Sequence, residues 1–314
     1  MKIHILSDNL SGSKKLPALK CEHGLSMLIE TNEATILCDM GASGLFLQNA
    51  REMGLDLNNV DFAFISHGHS DHTGGLEEFL NNIPDKKIYA SQTIFEEFYF
   101  SGRRGYWRAM STDHSLPNNY PDRFIFTNFY RKYTPLQDGS IGSIGMQIGK
   151  NIAIVGNSCH KWSKPYGNCY LTKSNTTATT PQSNGFTPEP DDFTHEQVLV
   201  INTPEGLVII SSCSHCGAIN IMESCIDFTG EKRIAAFIGG LHFIDSPQVI
   251  QEIETFTKEF NEAFYTDINN NIAAVTTNRP RIITGHCTSD PAKELLKERI
   301  PGIEFFHTGA TILV

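Results

Sequence analysis

The chain has 314 residues and a formal net charge of −10; 40% of its residues are hydrophobic and 19% are charged. So many apolar side chains beside so few charges exclude a chain that is disordered throughout. An acidic surface repels phosphate backbones, so we expect no nucleic-acid partner.

The lengths of the apolar runs indicate the cellular location of the protein. At the amino terminus, only a short run of apolar residues precedes polar ones, and this run is too short for the apolar region of a secretory signal. No apolar stretch approaches the roughly 18 residues that span a bilayer. We therefore expect a cytoplasmic protein without a membrane partner, whose eight cysteines are reduced thiols.

The first part of the chain predicts strands that give way to alternating strands and helices. A β-meander is predicted at residues 2–6, 24–30 and 35–38. Apolar spacing then predicts a helix over 43–53, a strand over 62–65 and a helix from Thr73 or Gly74 to Asn81. The aromatic and basic segment 95–110 is interpreted as a helix followed by a loop.

The middle and the second half predict a long loop followed by regular structure. Strands are predicted over 123–127 and 151–155, and a loop rich in small and polar residues over 157–192, with a short strand around Tyr170. Amphipathic helices follow over 248–264 and 291–299. No linker interrupts the chain, so residues 1–314 are predicted to form a single domain with a lid or insert region at about 93–192.

Histidines follow four of the predicted buried strands. Each of four apolar runs ends in small or polar residues and then a histidine: His67, His215, His242 and His286. A strand end is a rigid platform, and the loop after it points side chains into a cleft. We therefore expect these imidazoles to lie along one rim.

The densest of these segments runs from His67 to His72. It holds three imidazoles and a carboxylate within six residues, and these are ligands that suit zinc and, less selectively, iron, manganese, cobalt or nickel. One tight turn cannot bring all four to one ion. The residues therefore suggest His67 and His69 on one metal and Asp71 and His72 on a neighbour, with His215 and His286 as candidates to complete the sites. The pair Cys213 and Cys216 is interpreted as buried structural thiols.

These segments resemble a known family. The spacing His-x-His-x-Asp-His at residues 67–72 is the defining motif of the metallo-β-lactamase superfamily, which the chain resembles. Other segments resemble its subgroup labelled 7,8-dihydropterin-6-ylmethyl-4-(β-D-ribofuranosyl)aminobenzene 5′-phosphate synthase: residues 22–26, 36–41, 66–76, 196–199, 213–217, 239–242 and 284–288. The resemblance implies an α/β fold of the αββα sandwich type, with two mixed β-sheets flanked by helices.

The resemblance also implies a ligand set. It assigns His67, His69 and His215 to one divalent ion and Asp71, His72 and His286 to a second, with zinc expected and iron, manganese or nickel as alternatives. Asp39 would hydrogen-bond the metal-binding loop and fix the orientation of the ligands. Where most hydrolases of the superfamily place a bridging aspartate, this chain offers His242. Three interpretations of His242 stay open: a terminal ligand, a general acid or substrate contact, or a core residue.

The function implied is hydrolysis of a small phosphorylated or cyclic metabolite by a metal-bound hydroxide. Asp71 would accept the proton of the nucleophile, and His242 would protonate the leaving group. The alternatives are a protein that retains metal for binding or sensing without turnover, and a redox protein of the di-iron type. Whether the chain self-associates is open.

A second group of residues is a candidate for binding the substrate. Arg103, Arg104 and Trp107 could hold a phosphate and stack on a heterocycle, although a solvated segment with exposed arginines is the simpler interpretation. His160 opens the long loop and would face the cleft. His195 is interpreted as a surface or loop residue.

Overall fold

The structure is a computed structural model that describes residues 1–10, 18–127, 129, 144–174, 188–264 and 280–314. These form two compact units. The first unit comprises Met1–Asn128, Asn168–His195 and His307–Leu313, and the second comprises Phe129–Gly167, Glu196–Phe306 and Val314. This division does not test the predicted single domain, which stays a prediction.

The strands of the described residues are, in chain order, β1 (Lys2–Ser7), β2 (Ser26–Glu30), β3 (Thr35–Cys38), β4 (Phe62–Phe64), β5 (Lys87–Ser91), β6 (Phe98–Ser101), β7 (Arg108–Ala109), β8 (Phe124–Thr127), β9 (Gly145–Gln147), β10 (Ile152–Gly156), β11 (Leu171–Ser174), β12 (Glu189–Pro190), β13 (Gln197–Thr203), β14 (Gly206–Ile210), β15 (Ile234–Gly239), β16 (Arg281–Thr284), β17 (Glu304–Phe305) and β18 (Thr311–Leu313). The α-helices are α1 (Leu45–Glu52), α2 (Ser70–Thr73), α3 (Leu76–Asn82), α4 (Leu116–Asn119), α5 (Ala218–Thr229), α6 (Val249–Phe264) and α7 (Asp290–Arg299). Short 3₁₀ segments cover Leu57–Asn59, Gln92–Phe95 and Tyr166–Tyr170.

The main sheet of the first unit has seven strands in the order β18-β1-β2-β3-β4-β5-β8. Strands β18 to β3 pair antiparallel, and β3, β4, β5 and β8 pair parallel. Apolar residues of α1 and α3, among them Phe46 and Phe79, pack with this sheet in one buried cluster. Because β3 and β4 are parallel, the segments that follow them begin at the same edge of the sheet.

A second sheet of the first unit corrects one prediction. The segment 95–110, predicted to be a helix and a loop, contains β6 and β7, which join β11 and β12 in an antiparallel sheet of order β12-β11-β6-β7. Tyr99 and Phe100 are almost fully buried there. Strand β6 pairs with β11, about seventy residues later in the chain. The spacing of apolar residues within 95–110 does not reveal that β11 pairs with this segment. Aromatic residues such as those of β6 favour a strand when a partner strand is available.

The second unit contains the other seven-stranded sheet, in the order β17-β16-β15-β14-β13-β10-β9. Strands β14 to β17 are parallel, so the loops after β14, β15 and β16 leave from one edge. Helices α5, α6 and α7 belong to this unit, and α6 buries the stripe Val249, Ile253, Phe256, Phe260 and Phe264. This stripe has helical spacing, and the predicted helix over 248–264 is confirmed almost to the residue.

Of the predicted lid region, residues 128, 130–143 and 175–187 lie outside the described residues. All eight cysteines are free thiols. In the part of the chain that the structure describes, every helix is too short or too polar to cross a bilayer.

Candidate metal centre

In the first unit, three buried imidazoles crowd together directly after β4. His67, His69 and His72 are each at most 2% exposed. The ring of His67 lies 4.6 Å from that of His69 and 4.2 Å from that of His72, measured between centroids. Imidazoles buried at such close range cannot all be protonated, and a neutral imidazole is a nitrogen donor for a metal.

A buried carboxylate fixes two of these rings. Asp39, directly after β3, accepts hydrogen bonds from the Ser66 backbone N–H at 2.8 Å, the Ser66 hydroxyl at 2.7 Å and His72 Nδ1 at 2.8 Å. Because the Ser66 hydroxyl proton goes to Asp39, the 2.8 Å contact between Ser66 Oγ and His67 must be donated by His67 Nδ1. Both His67 and His72 are therefore protonated on Nδ1 and present Nε2 as the ligand atom.

His69 is oriented by a carboxylate that the sequence analysis missed. Asp191 Oδ2 accepts from His69 Nε2 at 3.4 Å and from His195 Nε2 at 3.1 Å. His195 in turn accepts from the Gly68 backbone N–H through Nδ1 at 3.1 Å, so both of its ring nitrogens are engaged. His195 lies in a turn, in agreement with the loop interpretation, but the surface interpretation is wrong because the residue is fully buried. Its bond to Gly68 fixes the turn between two candidate ligands, His67 and His69. The one available signal was the spacing of Asp191 and His195, four residues apart at the end of a polar loop.

Burial and neighbouring side chains shift the pKa values of His67, His69 and Asp191. Burial, followed by the neighbouring His72, His69 and His195 rings, holds the pKa of His67 well below its usual value. Burial also lowers the pKa of His69, although its bond to Asp191 opposes this. Burial would raise the pKa of the Asp191 carboxyl, but His195 and His69 hold it below its ordinary range. Neutral imidazoles beside ionised carboxylates are the protonation states that metal binding requires.

Asp71 lies at the edge of this cluster. Its Oδ2 is 3.7 Å from His72 Nε2 and 3.5 Å from His23 Nε2. The carboxylate thus lies beside the ligand atom deduced for His72. This proximity accords with the predicted pairing of Asp71 and His72.

Close backbone packing holds the ligand segment in place. A Cβ added to Gly74 would lie 2.3 Å from the Ala42 carbonyl oxygen and 2.6 Å from that of Ser70. We expect Gly74→Ala to lower the free energy of unfolding by about 1–3 kcal/mol in urea denaturation, since the backbone must move to admit the methyl group. Gly44→Ala is the control, because its Cβ would meet only the exposed, flexible side chain of Glu78. Equal stability of the two variants would contradict this explanation.

In the second unit, a buried glutamate holds the turn that carries His215. Glu196 accepts from the backbone N–H of His215 at 2.8 Å through one oxygen and from that of Cys216 at 2.7 Å through the other. Ser214 in this turn has a positive φ of 62° and donates its hydroxyl to the Gly240 carbonyl. The buried Glu196 side chain therefore stabilises a turn that the backbone alone disfavours.

We expect Glu196→Gln to lower the free energy of unfolding by about 2 kcal/mol, because an amide has one acceptor for two buried N–H groups. Thermal or urea denaturation of the variant measures this loss. Glu205→Gln, at an exposed position of the same unit, should change stability by less than about 0.5 kcal/mol. If the Glu196 variant were as stable as this control, the Glu196 side chain would not stabilise the turn that carries His215.

His242 and His286 follow the next two parallel strands of the second unit. The His242 ring lies 4.2 Å from that of His215, and ligand atoms of Cys213, His215 and His242 lie within 4.8 Å of one another, as do those of Cys213, His286 and Cys287. His242 is half-buried, and its buried Nδ1 has no hydrogen-bond partner in the described part of the chain. Cys213 and Cys287 are thus possible thiolate ligands, whereas the sequence analysis interpreted Cys213 as a structural thiol and gave Cys287 no role.

Strained backbone coincides with these clusters. Among the described residues, the non-glycine residues with positive φ are Asp39, Asp85, Phe193, Ser214, His242 and His286. All except Asp85 lie in the turns that carry the candidate ligands and their supports. Such strain persists where packing and hydrogen bonds fix a functional geometry.

Of the four remaining candidate residues, three are exposed and one is half-buried. Arg103 and Arg104 are exposed on the connection between β6 and β7, and Trp107 packs its half-buried ring against Gly102. His160 is exposed, next to the buried Trp162. These positions leave the proposed roles of the four residues in substrate binding as predictions.

The donor sets fit a divalent transition metal. Each unit offers buried imidazole nitrogens, and hydrogen bonds with Ser66, Asp191 and Asp39 orient the rings of the first unit. In the second unit, one buried nitrogen of His242 lacks a partner among the described residues. Imidazole and carboxylate ligands held by such supporting hydrogen bonds are typical of zinc and iron sites.

Comparison with known proteins agrees with this chemistry. Residues 19–163 match the family model described as the metallo-beta-lactamase superfamily. Over 99% of this chain and 96% of the relative, the sequence is 25% identical to the 7,8-dihydropterin-6-methyl-4-(beta-D-ribofuranosyl)-aminobenzene-5′-phosphate synthase of Methanocaldococcus jannaschii. A shorter stretch, 20% of this chain and 13% of the relative, is 34% identical to the anaerobic nitric oxide reductase flavorubredoxin of Vibrio vulnificus.

A solved structure extends the likeness to the whole fold. The crystal structure of Tm1679, a metal-dependent hydrolase of the beta-lactamase superfamily, matches with a TM-score of 0.72 and 28% identity over 100% of this chain and 99% of the other. The predicted α/β fold class and the resemblance drawn from the motifs are confirmed. The chain thus resembles the metallo-β-lactamase superfamily over its length and has its fold.

Proposed function

We propose that this protein is a metal-dependent hydrolase that binds two divalent ions, zinc in preference to iron, manganese or nickel. The proposed ligands are His67, His69, Asp71 and His72 in the first unit and His215 and His286 in the second. Asp39 and Asp191 would orient the ligand rings of the first unit.

One observation carries this proposal. Three buried imidazoles lie together after β4, and hydrogen bonds with Ser66, Asp191 and Asp39 orient their rings. A structural cluster of three buried histidines would gain little from this arrangement, whereas a metal requires it. The full-length likeness to Tm1679, whose name describes a metal-dependent hydrolase, supports the same conclusion.

The chemistry divides between the bound ions and the side chains. Divalent ions at these ligands would acidify water and offset the negative charge that develops on the substrate. Asp71 would accept the proton of the attacking water, and its carboxylate is only partly exposed. His242 would donate a proton to the leaving group, and its half-buried position in the turn after β15 suits that role.

The proposed substrate is a small phosphorylated or cyclic metabolite, and the proposed location is the cytoplasm. The relative from Methanocaldococcus jannaschii is named as a synthase of a phosphorylated, pterin-containing compound, which supports a substrate with a phosphate or a pterin-like ring. Arg103, Arg104, Trp107 and His160 are proposed to contact such a substrate.

The test combines metal analysis with turnover. We expect purified protein to hold close to two equivalents of zinc or iron by mass spectrometry and to hydrolyse at least one member of a panel of phosphodiesters, phosphomonoesters and lactones. His69→Ala should abolish turnover, and Arg51→Ala, an exposed position of the same unit, is the control.

Two results would overturn the proposal. Stoichiometric metal without turnover on any substrate of the panel would favour the binding or sensing protein. Iron that cycles between oxidation states with a reductant and oxygen or nitric oxide, again without hydrolysis, would favour the redox alternative, in line with the partial likeness to flavorubredoxin.

A further inference from the structure

Two thiols of the second unit lie beside one of the proposed metal ligands. Cys213 follows β14 and Cys287 follows β16, and both are free thiols. Their sulfur atoms and a ring nitrogen of His286 lie within 4.8 Å of one another, although the two cysteines are 74 residues apart in the chain. The proposed mechanism uses His286 and gives neither thiol a role.

The strand between the two cysteines carries no side chain at the level of the thiols. Strand β15 lies between β14 and β16 and ends at Gly239, which Gly240 follows. A Cβ added to Gly240 would lie 2.4 Å from Cys287 Sγ and 3.6 Å from Cys213 Cα. Any larger residue at this position would therefore take the space of the sulfur. The glycine allows the two thiols to approach each other across the middle strand.

Hydrogen bonds join the three turns that carry this cluster. The Gly240 N–H donates to the Ser212 carbonyl at 2.9 Å, and the Ser214 hydroxyl donates to the Gly240 carbonyl at 2.6 Å. The Leu241 N–H donates to the Thr288 hydroxyl at 3.1 Å. These contacts fix the turns before any ion binds, which lowers the cost of ordering the donors around it.

The surroundings of the two sulfur atoms suit thiolates that bind a metal. Cys213 and His286 are each 3% exposed, and Cys287 is half-buried. The His242 backbone N–H donates to Cys287 Sγ at 3.3 Å, and an N–H directed at sulfur favours the thiolate over the thiol. As a thiol, Cys287 donates to the Cys213 carbonyl at 3.8 Å, a long contact that a metal–sulfur bond would replace.

Another cysteine of the same unit has the environment of a structural thiol. Cys225 lies on α5 and is fully buried in the core. Burial raises the pKa of its thiol, so the sulfur stays protonated. Cys225 is therefore the matched control for Cys213 and Cys287.

We infer that Cys213 and Cys287 bind, as thiolates, the ion that His286 binds. One imidazole and two thiolates suit zinc or a softer ion and leave a position for a further ligand. Donors around one tetrahedral ion lie roughly 3.3–3.8 Å apart at bond lengths of about 2.0–2.3 Å, so small side-chain movements would complete the set. Each thiol releases its proton to solvent when its sulfur binds the ion.

The inference deepens the proposed function and rests on it only for the presence of an ion at His286. The ligand set implied by the resemblance contains imidazoles and a carboxylate but no sulfur. Two thiolates would give the second unit a preference for softer ions that the imidazoles and carboxylates of the first unit do not share.

X-ray absorption at the zinc edge, measured on the zinc-loaded full chain, tests the inference without any variant. We expect a shell of sulfur at about 2.3 Å beside nitrogen and oxygen at about 2.0–2.2 Å, with about one sulfur per zinc because two ions share two thiolates. A spectrum explained by nitrogen and oxygen alone would overturn the inference.

Cobalt identifies which sulfur atoms bind. Cobalt(II) bound to thiolate absorbs strongly in the near ultraviolet through charge transfer from sulfur. This band should weaken in Cys213→Ala and in Cys287→Ala, disappear when both are changed, and keep its full strength in Cys225→Ala. Each single variant should also weaken zinc binding by at least about tenfold, the smallest loss expected when even a group that supports a ligand is removed. A band that persists in the double variant would overturn the inference.

The result is separable from that of the proposed function. His69→Ala, a change in the first unit, should abolish turnover but keep the sulfur-to-cobalt band. Turnover by a protein without a sulfur shell would support the hydrolase and overturn the thiolate ligands. A sulfur shell in a protein without turnover would confirm the thiolate ligands and count against the hydrolase.

Discussion

Asp39→Asn is expected to lower the free energy of unfolding by about 3 kcal/mol and to weaken zinc binding by about 10- to 100-fold. The side chain is fully buried and accepts three hydrogen bonds, from Ser66 N–H, Ser66 Oγ and His72 Nδ1. An amide has one oxygen, and its NH₂ group would face donors. The tautomers of His67 and His72 would then no longer be fixed.

Urea denaturation of chelator-treated protein measures the first effect, and competition with a chromogenic chelator measures the second. Asp122→Asn, at an exposed position of the same unit, is the matched control and should match wild type in both. A stable Asp39 variant with wild-type zinc affinity would show that the carboxylate does not orient the ligands.

His242→Ala is expected to reduce turnover of esters with alkyl leaving groups by about 100-fold or more, the usual contribution of a general acid. Esters with a nitrophenyl leaving group should be affected far less, because that group departs without a proton. Metal content should remain at the wild-type level. The structure supports this role because His242 is half-buried, close to His215, with its Nδ1 lacking a partner in the described residues.

The leaving-group comparison separates the alternatives for His242. Equal losses on both ester classes together with reduced metal content would indicate a terminal ligand. Loss of stability with no change in the ratio of the two rates would indicate a core residue. Either outcome would remove the general acid from the proposed mechanism.

Periodic segments were the most predictable from sequence. Helix α6 was predicted within a residue of its bounds because its apolar stripe repeats with helical spacing, and β4 was predicted because an apolar run ends at His67. The segment 95–110 was mispredicted because β6 pairs with β11 across about seventy residues, a contact that local spacing does not encode.

The residues of the candidate site also differ in how well the sequence predicts them. The candidate ligands His67, His69, Asp71 and His72 could be named from sequence because they lie within six residues and have the chemistry of metal ligands. Asp191 and His195 could not, since they lie more than 115 residues from the histidines they support and look like part of a polar loop.

The central claim is that the buried histidines of the first unit bind a metal. Anomalous diffraction at the zinc absorption edge from zinc-loaded crystals tests it most directly. We predict anomalous peaks at about 2.0–2.1 Å from Nε2 of His67, Nδ1 of His69 and Nε2 of His72, the ring nitrogens opposite those that contact Ser66, Asp191 and Asp39. Crystals without an anomalous peak at these three nitrogens, from protein exposed to excess zinc, would contradict the account.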